Sequence, residues 1–416
     1  MKKLLGLIGL MGLMGLFPIE PILPINPIHA QTSDHFFDSI DKEIQAELSK
    51  EIWLSAEGNI FFIDNEYFGD RISGYTLPGF VLQPKVAWKL HHDVTLKGGL
   101  HWLHYWGARE YPSVTSYDAY PLYDSVSRPM HILPWLQVKI KLSNRWELTL
   151  GSLDASGHGL PRPLYNEEIA LVGDPEAGFE LKYEGPTGIP FIWTNLDLWT
   201  DWREYIWDRS PVPERFTAGL SGDLHTFYAD WGLYIPLHFI VQHEGGQNMS
   251  VSHNINNNFN FSTGLRVNKP FREQMVDLSC RVMWYHQHGN AAIPFSKGWG
   301  IYPALSVTNG LNYKLSVSYW QGKDFVPLLG SWHFSNLSAN TAGLTFDRTR
   351  VVTLQASWMK SYPTWPRKCH LVIYGTLYHY LPSTGTFADG TTQEYGHRNQ
   401  FSVGVSLSFY PTIKLH

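Results

Sequence analysis

Cysteine is almost missing from this chain: Cys280 and Cys369 are the only two in 416 residues. That excludes a disulfide framework as what holds the fold together. Cys280 falls on the apolar side of its segment, where a free thiol serves as a small hydrophobe. Charge is scarce as well, 17% of residues against roughly a quarter in soluble domains. A net charge of −5 is too small to mark a nucleic-acid partner, so none is expected. After the N-terminal stretch, no apolar run approaches the ~20 residues that a membrane-spanning helix requires. Aromatic side chains, in contrast, make up 15% of the chain, and glycine numbers 36.

The N-terminus carries an export pattern. Lys2 and Lys3 precede an apolar run from Leu4 to Phe17, prolines follow at 18, 21, 24 and 27, and Ile28-His29-Ala30 ends in a small residue. This predicts a secretory signal peptide over 1–30. Residues 31–51 follow as a periplasmic segment, in which Phe37, Ile40, Ile44 and Leu48 recur at helical spacing. That segment is expected as a frayed arm, a short helix or a plug, and 52–416 as one further domain.

From residue 52 onward the dominant pattern has a period of two. In Phe401-Ser402-Val403-Gly404-Val405-Ser406-Leu407-Ser408-Phe409 every odd position is apolar and every even one is Ser or Gly. Such a strand has unlike surroundings on its two faces. Tight hairpins follow from the same pattern. Ile140 faces Leu148, Val138 faces Leu150 and Lys141 meets Glu147 if Ser143-Asn144-Arg145 turn. Val86, Trp88 and Leu90 likewise match Gly98, Leu96 and Val94. Leu305 and Val307 match Tyr313 and Leu311, with Gly310 in the left-handed position of the turn. Short turns near 91–93, 143–145, 185–188, 225–226, 268–274 and 308–310 alternate with long polar segments at 64–79, 107–130, 154–176, 203–214, 242–258, 287–298 and 322–330. This rhythm predicts an all-β, closed, antiparallel transmembrane β-barrel with short periplasmic turns and long extracellular loops. Parity makes the strand near 311–321 the thirteenth. It gives about eighteen strands if 331–347 supplies two short ones, and sixteen as the next count.

By this pattern, over roughly 52–410, the chain resembles the Gram-negative outer-membrane β-barrel superfamily, porin-like in design and akin to sugar porins or capsule-associated surface barrels. The resemblance implies residence in the cell outer membrane, contact with outer-membrane lipid and lipopolysaccharide, and insertion by the barrel assembly machinery. Parity makes the strand at 397–410 the descending one that closes the barrel against the strand near 52–63.

Barrels of this size enclose a wet lumen unless something fills it. Lys139, Lys141, Glu147, Asp230, Asp277, Arg281 and Lys314 are assigned inward, as lumen residues able to set selectivity. In the long loops, Tyr111, Tyr117, Tyr120, Tyr123, Arg162 and Tyr165 are candidates for a ligand surface of flat rings and hydrogen-bonding groups. Trp88, Trp102, Tyr105, Trp106, Trp146, Trp199, Trp284, Tyr319 and Trp358 suit interfacial girdles. His286 and His288 share a strand face but lack a third ligand at metal spacing, and His101 and His104 point to opposite faces. No metal or other cofactor is therefore expected. Asp154, Ser156 and His158 are of triad type, yet nearness in sequence does not make a triad, so the chain is expected not to be an enzyme. The leading expectation is an outer-membrane channel for passive passage of small hydrophilic solutes. The alternative is a barrel that binds polysaccharide or another envelope component without conducting.

Overall fold

The computed structural model describes residues 51–106, 130–154, 157–168, 171, 173–204, 213–246, 255–289, 293–362 and 369–415. The expected signal peptide, the segment 31–50 and Tyr111, Tyr117, Tyr120 and Tyr123 lie outside them.

Twenty strands follow in chain order: β1 (Ile52–Glu66), β2 (Tyr75–His91), β3 (Val94–Tyr105), β4 (Met130–Lys141), β5 (Trp146–Ser152), β6 (Ala177–Pro186), β7 (Trp193–Glu204), β8 (Glu214–Tyr228), β9 (Trp231–Gly245), β10 (Asn256–Phe271), β11 (Gln274–His288), β12 (Lys297–Asn309), β13 (Tyr313–Lys323), β14 (Thr345–Phe346), β15 (Thr349–Tyr362), β16 (Cys369–Tyr380), β17 (Ser383–Thr386), β18 (Thr392–Tyr395), β19 (Arg398–Phe409) and β20 (Thr412–Lys414). β1 to β13, then β15, β16 and β19, pair antiparallel in sequence order. β19 returns to β1, with Phe62 opposite Val405 and Glu66 opposite Phe401. The wall thus closes at sixteen strands, the second of the two counts the sequence allowed. The thirteenth is β13, as parity requires, and the closing strand pairs with the first as expected. Past Pro411 the chain continues as β20 along the foot of β1, Trp53 opposite Lys414, where Lys414 pairs with Glu51.

Alternation decides which side chain meets which medium. On β11, Asp277 and Ser279 are 7% and 5% exposed while Leu278 between them is 57% exposed. On β19, Ser402, Gly404, Ser406 and Ser408 are buried, and Val405 faces out. The apolar set is outside and the small polar set lines the lumen, the arrangement of a barrel in lipid. Trp88, Trp106, Trp146 and Trp284 are on the exposed face as girdle residues should be. Tyr105 and Trp199 are not: both fall on inward positions and are 1% exposed.

The β4–β5 hairpin has the expected register, Ile140 opposite Leu148 and Lys141 opposite Glu147. In the β2–β3 hairpin Trp88 faces Leu96, but a bulge places His91 rather than Leu90 opposite Val94. The β12–β13 turn differs more. Val307 faces Leu315 and Leu305 faces Val317, because the turn takes in Leu311 and Asn312. Asn309 Oδ1 accepts from the backbone of Leu311 and Tyr313 at 3.1 and 2.9 Å. The left-handed residue is Asn312 (φ 63°), not Gly310, consistent with asparagine's tolerance of that conformation.

The stretch 331–347 does not add two strands to the wall. With 324–330 it folds inward against the described residues of the other long segment, 153–154 and 157–168, and the two build an apolar core inside the barrel. Leu153, Leu160, Leu164 and Tyr165 pack with Phe325, Val326, Leu328, Leu329, Phe334 and Leu337 against Trp199, Ile240, Met283, Tyr302 and Trp320 of the wall. Tyr165 bridges Leu329 in parallel, and the Asn166 amide donates to the Leu329 carbonyl at 2.7 Å. At Gly330 a Cβ would stand 2.1 Å from the Pro163 carbonyl oxygen, so only glycine lets the two loops approach this closely. Buried asparagines complete the backbone's hydrogen bonds. Asn260 of the wall donates to the Val326 carbonyl and accepts from the Leu328 amide, at 3.0 and 2.8 Å. Above this core, β14, β17 and β18 form a small sheet over Leu344, Phe346 and Tyr395.

Candidate functional site

Where the inward loops meet the ends of β1, β2 and β16, polar side chains form one connected network. β1 and β2 present Asn65 and Tyr75 inward at their extracellular ends, the ends joined by long loops. The Tyr75 hydroxyl lies 2.6 and 2.7 Å from the two carboxylate oxygens of Glu168, and Asn65 Nδ2 donates to the same carboxylate at 3.4 Å. Tyr67 donates to Asn65 Oδ1 at 3.0 Å and meets the His333 ring edge-on, centroids 4.5 Å apart. His333 is stacked on Tyr378 at 3.6 Å, and its Nδ1 is 2.6 Å from the Tyr380 hydroxyl. Arg162 donates to the Tyr378 hydroxyl at 2.6 Å and pairs with Glu167 at 3.6 Å. The alternation Tyr378-His379-Tyr380 is what lets two tyrosines of one strand reach the lumen together.

Burial sets the charge states along the loops of this network. Burial first, then Arg162 and Arg71, depresses the pKa of His333 well below its ordinary value, so it is neutral. Burial also weakens the charge on Arg162, but Tyr378 and Glu167 more than offset this and hold it fully cationic. The network is closed at the His333 end, 2% exposed. At the other end Glu168 and Tyr75 are only half-buried. A carboxylate fixed by a tyrosine hydroxyl and an amide, with a partly open flank, can take a proton from water.

A second group, where an inward loop meets β6 and β7 of the wall, carries a different arrangement. His158, in a left-handed turn (φ 51°), has Nδ1 2.9 Å from Asp197 and Nε2 2.7 Å from Glu176. His158, Glu180 and Asp197 bring ligand atoms within 4.8 Å of one another, as metal ligands would, as do the exposed His91, His92 and Asp93 of a short turn. In the first group the charge is already met from within the chain: Lys182 is 2.9 Å from Glu180, and both imidazole nitrogens face carboxylates. Asp154 pairs with Lys139 at 2.9 Å, and His158 with Glu176 and Asp197. Ser156 lies outside the described residues.

The expected lumen residues are thus distributed. Asp277 is buried in an ion pair with Arg266 at 2.6 Å, and Arg281 is buried above it beside Ser279, to which it donates at 3.2 Å. Lys139 reaches Asp154, with Glu147 at 4.0 Å. Lys314 is half-buried and Lys141 exposed near the short-turn mouth. Asp230 sits in the β8–β9 turn, exposed, 3.9 Å from Lys269. Of the expected ligand loop, Arg162 and Tyr165 are packed inside the barrel, 9% and 2% exposed, and offer no surface. Residue types alone did not mark Asn65, Tyr67, Tyr75, Glu168, His333, Tyr378 and Tyr380. The available signal was parity: polar Asn65 and Tyr67 continue the inward face of β1 beyond its apolar run.

Fold and site together define an outer-membrane β-barrel whose extracellular half holds a folded-in core capped by a titratable network. The chain belongs to the lipid A 3'-O-deacylase-type family, whose model matches residues 43–416. That is an enzyme family, and it overturns the expectation of a non-enzyme, which rested on the missing sequence triad. No curated protein matches. Solved structures similar to the chain include OccK2 (OpdF) of Pseudomonas aeruginosa in complex with glucuronate, at 9% identity and TM-score 0.46, covering 88% of this chain and all of that one. OccAB4 of Acinetobacter baumannii follows at 10% identity and 0.46, covering 89% and 100%. The OmpT outer membrane protein of Vibrio cholerae, in trimer form, has 11% identity and 0.44, covering 87% and 100%.

Proposed function

We propose that this protein hydrolyses an acyl ester of lipid A at the extracellular end of its barrel, with Glu168 as the proton acceptor. The observation that carries this is the half-buried Glu168 carboxylate, held at 2.6 and 2.7 Å by Tyr75 and steadied by Asn65. Water adds its oxygen to the ester carbonyl as Glu168 takes its proton. Glu168 then returns that proton to the departing sugar oxygen as the C–O bond breaks, giving a free fatty acid and a sugar hydroxyl. Tyr67 holds Asn65 from behind, His333 and Tyr378 pack on Tyr67 and Arg162 holds Tyr378, so the four are positioning residues. Lipopolysaccharide is then both the lipid environment and the substrate, which suits a site at strand ends near the outer leaflet.

Passive passage of small hydrophilic solutes is the second reading, supported by the polar inward face of the lower wall. The core formed by 153–168 and 324–347 stands in the path of such solutes, which is why hydrolysis is preferred. The test is fatty-acid release from purified lipid A by the refolded barrel in detergent. Glu168→Gln should lower the rate at least about 100-fold, the usual scale of a lost general base, with folding intact by heat-modifiable gel mobility. Release unaffected by Glu168→Gln rejects the assignment.

A further inference from the structure

The turn that joins β2 to β3 at the short-turn mouth carries His91, His92 and Asp93 in succession. Neighbours on a regular strand point to opposite faces, which would part the two imidazoles. A bulge between Lys89 and His91 and the chain reversal after it cancel that alternation, and the ring centroids stand 3.8 Å apart. Asp93 Oδ2 lies 2.6 Å from His92 Nε2 and 3.7 Å from His91 Nδ1. The Asp93 amide donates to His91 Nδ1 at 3.4 Å, so that nitrogen turns its lone pair toward the same side as the carboxylate. Donors bound tetrahedrally at about 2.0–2.2 Å from a metal stand about 3.3–3.6 Å apart. The two distances in the turn bracket that spacing, so small rotations of three solvent-facing side chains would seat an ion.

The backbone beneath them is held from both sides. The Lys89 amide donates to the Glu51 carbonyl at 2.9 Å, and the Lys141 amide to the Asp93 carbonyl at 2.8 Å. The Lys141 residue itself stands opposite Glu147 in the next hairpin. Among the described residues, the side chains of His91, His92 and Asp93 form hydrogen bonds and ion pairs only within the trio. The His158 group differs, because Lys182 already neutralises Glu180 there.

We propose that this turn binds a divalent transition metal ion of zinc's class through two imidazole nitrogens and one carboxylate oxygen, with the fourth position open to water. Imidazole suits zinc, copper and nickel, whereas calcium and magnesium require a shell of oxygens that one carboxylate does not supply. The site is independent of the ester chemistry at Glu168.

The experiment is isothermal titration of the refolded full chain with zinc chloride, alone and against an excess of calcium chloride. Zinc should bind saturably, calcium should not displace it, and Glu168→Gln should bind it as the parent does. His91→Ala, His92→Ala and Asp93→Asn should each weaken zinc at least about 10-fold, the least that losing even a ligand's supporting partner costs. These positions are exposed, and heat-modifiable gel mobility checks that the variants fold. No saturable zinc binding, displacement by calcium, loss of binding in Glu168→Gln, or binding unchanged in His91→Ala and His92→Ala overturns the proposal.

Discussion

The His158 imidazole lies flat on the Trp199 indole, ring centroids 4.1 Å apart and planes 11° from parallel. The stack seats the ring so that each nitrogen faces a carboxylate, Asp197 on one side and Glu176 on the other. His158 is wholly buried, so removing it strands two carboxylates of low exposure. His158→Leu should destabilise the inward loop by about 3–5 kcal/mol, the scale for breaking a buried pair on one side. Hydrogen exchange of 157–168 measures this, and protection equal to that of the unsubstituted protein would count against it.

Two loop histidines make the inward core pH-sensitive in opposite senses. Burial opposes charge on His158, but Glu176 and Asp197 prevail and raise its pKa to about 10. Its contribution is complete below the unfolded value of about 6.5 and is lost as pH rises toward 10. His333 is depressed by burial and by Arg162 and Arg71. Its contribution is present above about 6.5 and is lost as pH falls. Exchange protection of 157–168 and 324–347 should therefore peak near neutrality. His158→Gln should flatten the alkaline limb alone, and a profile without limbs contradicts the assignment.

Phe334 is fully buried between Tyr302 and Trp320, ring centroids 5.8 and 5.7 Å away. Phe334→Ala should cost about 3–5 kcal/mol as a large-to-small core change. In planar bilayers the parent chain should conduct little and Phe334→Ala should open more often. High steady conductance by the parent chain would restore the channel reading.

Asn312 takes a positive φ of 63° in the β12–β13 turn. Asn312→Gly should fold as well as the parent, whereas Asn312→Val should lose about 1–2 kcal/mol from the left-handed strain of a branched residue. Urea unfolding of the refolded barrel reads the difference, and equal midpoints would show that the turn relaxes.

Strand identity and facing were legible because they depend on a local period of two: Leu278 and Ser279 each went where parity sent them. The wall's strand count was harder, because 331–347, where two short strands were expected, buries Phe334, Leu337 and Leu344 inside the barrel instead of pairing with the wall. Nothing in their immediate sequence names the partners they bury against. Glu168 was invisible for the same reason, since its chemistry depends on Tyr75 and Asn65, which are brought to it by barrel closure. Trp199 misled because an aromatic near a strand end suits a lipid interface and a lumen core alike, and only the company of His158 decides between them.

The most direct test of hydrolysis at Glu168 is the mass of lipid A from outer membranes of cells producing the chain. Producing cells should accumulate lipid A lacking one ester-linked acyl chain, and cells producing Glu168→Gln at equal barrel abundance should retain it. Unmodified lipid A in both, or the same loss in both, would contradict the account.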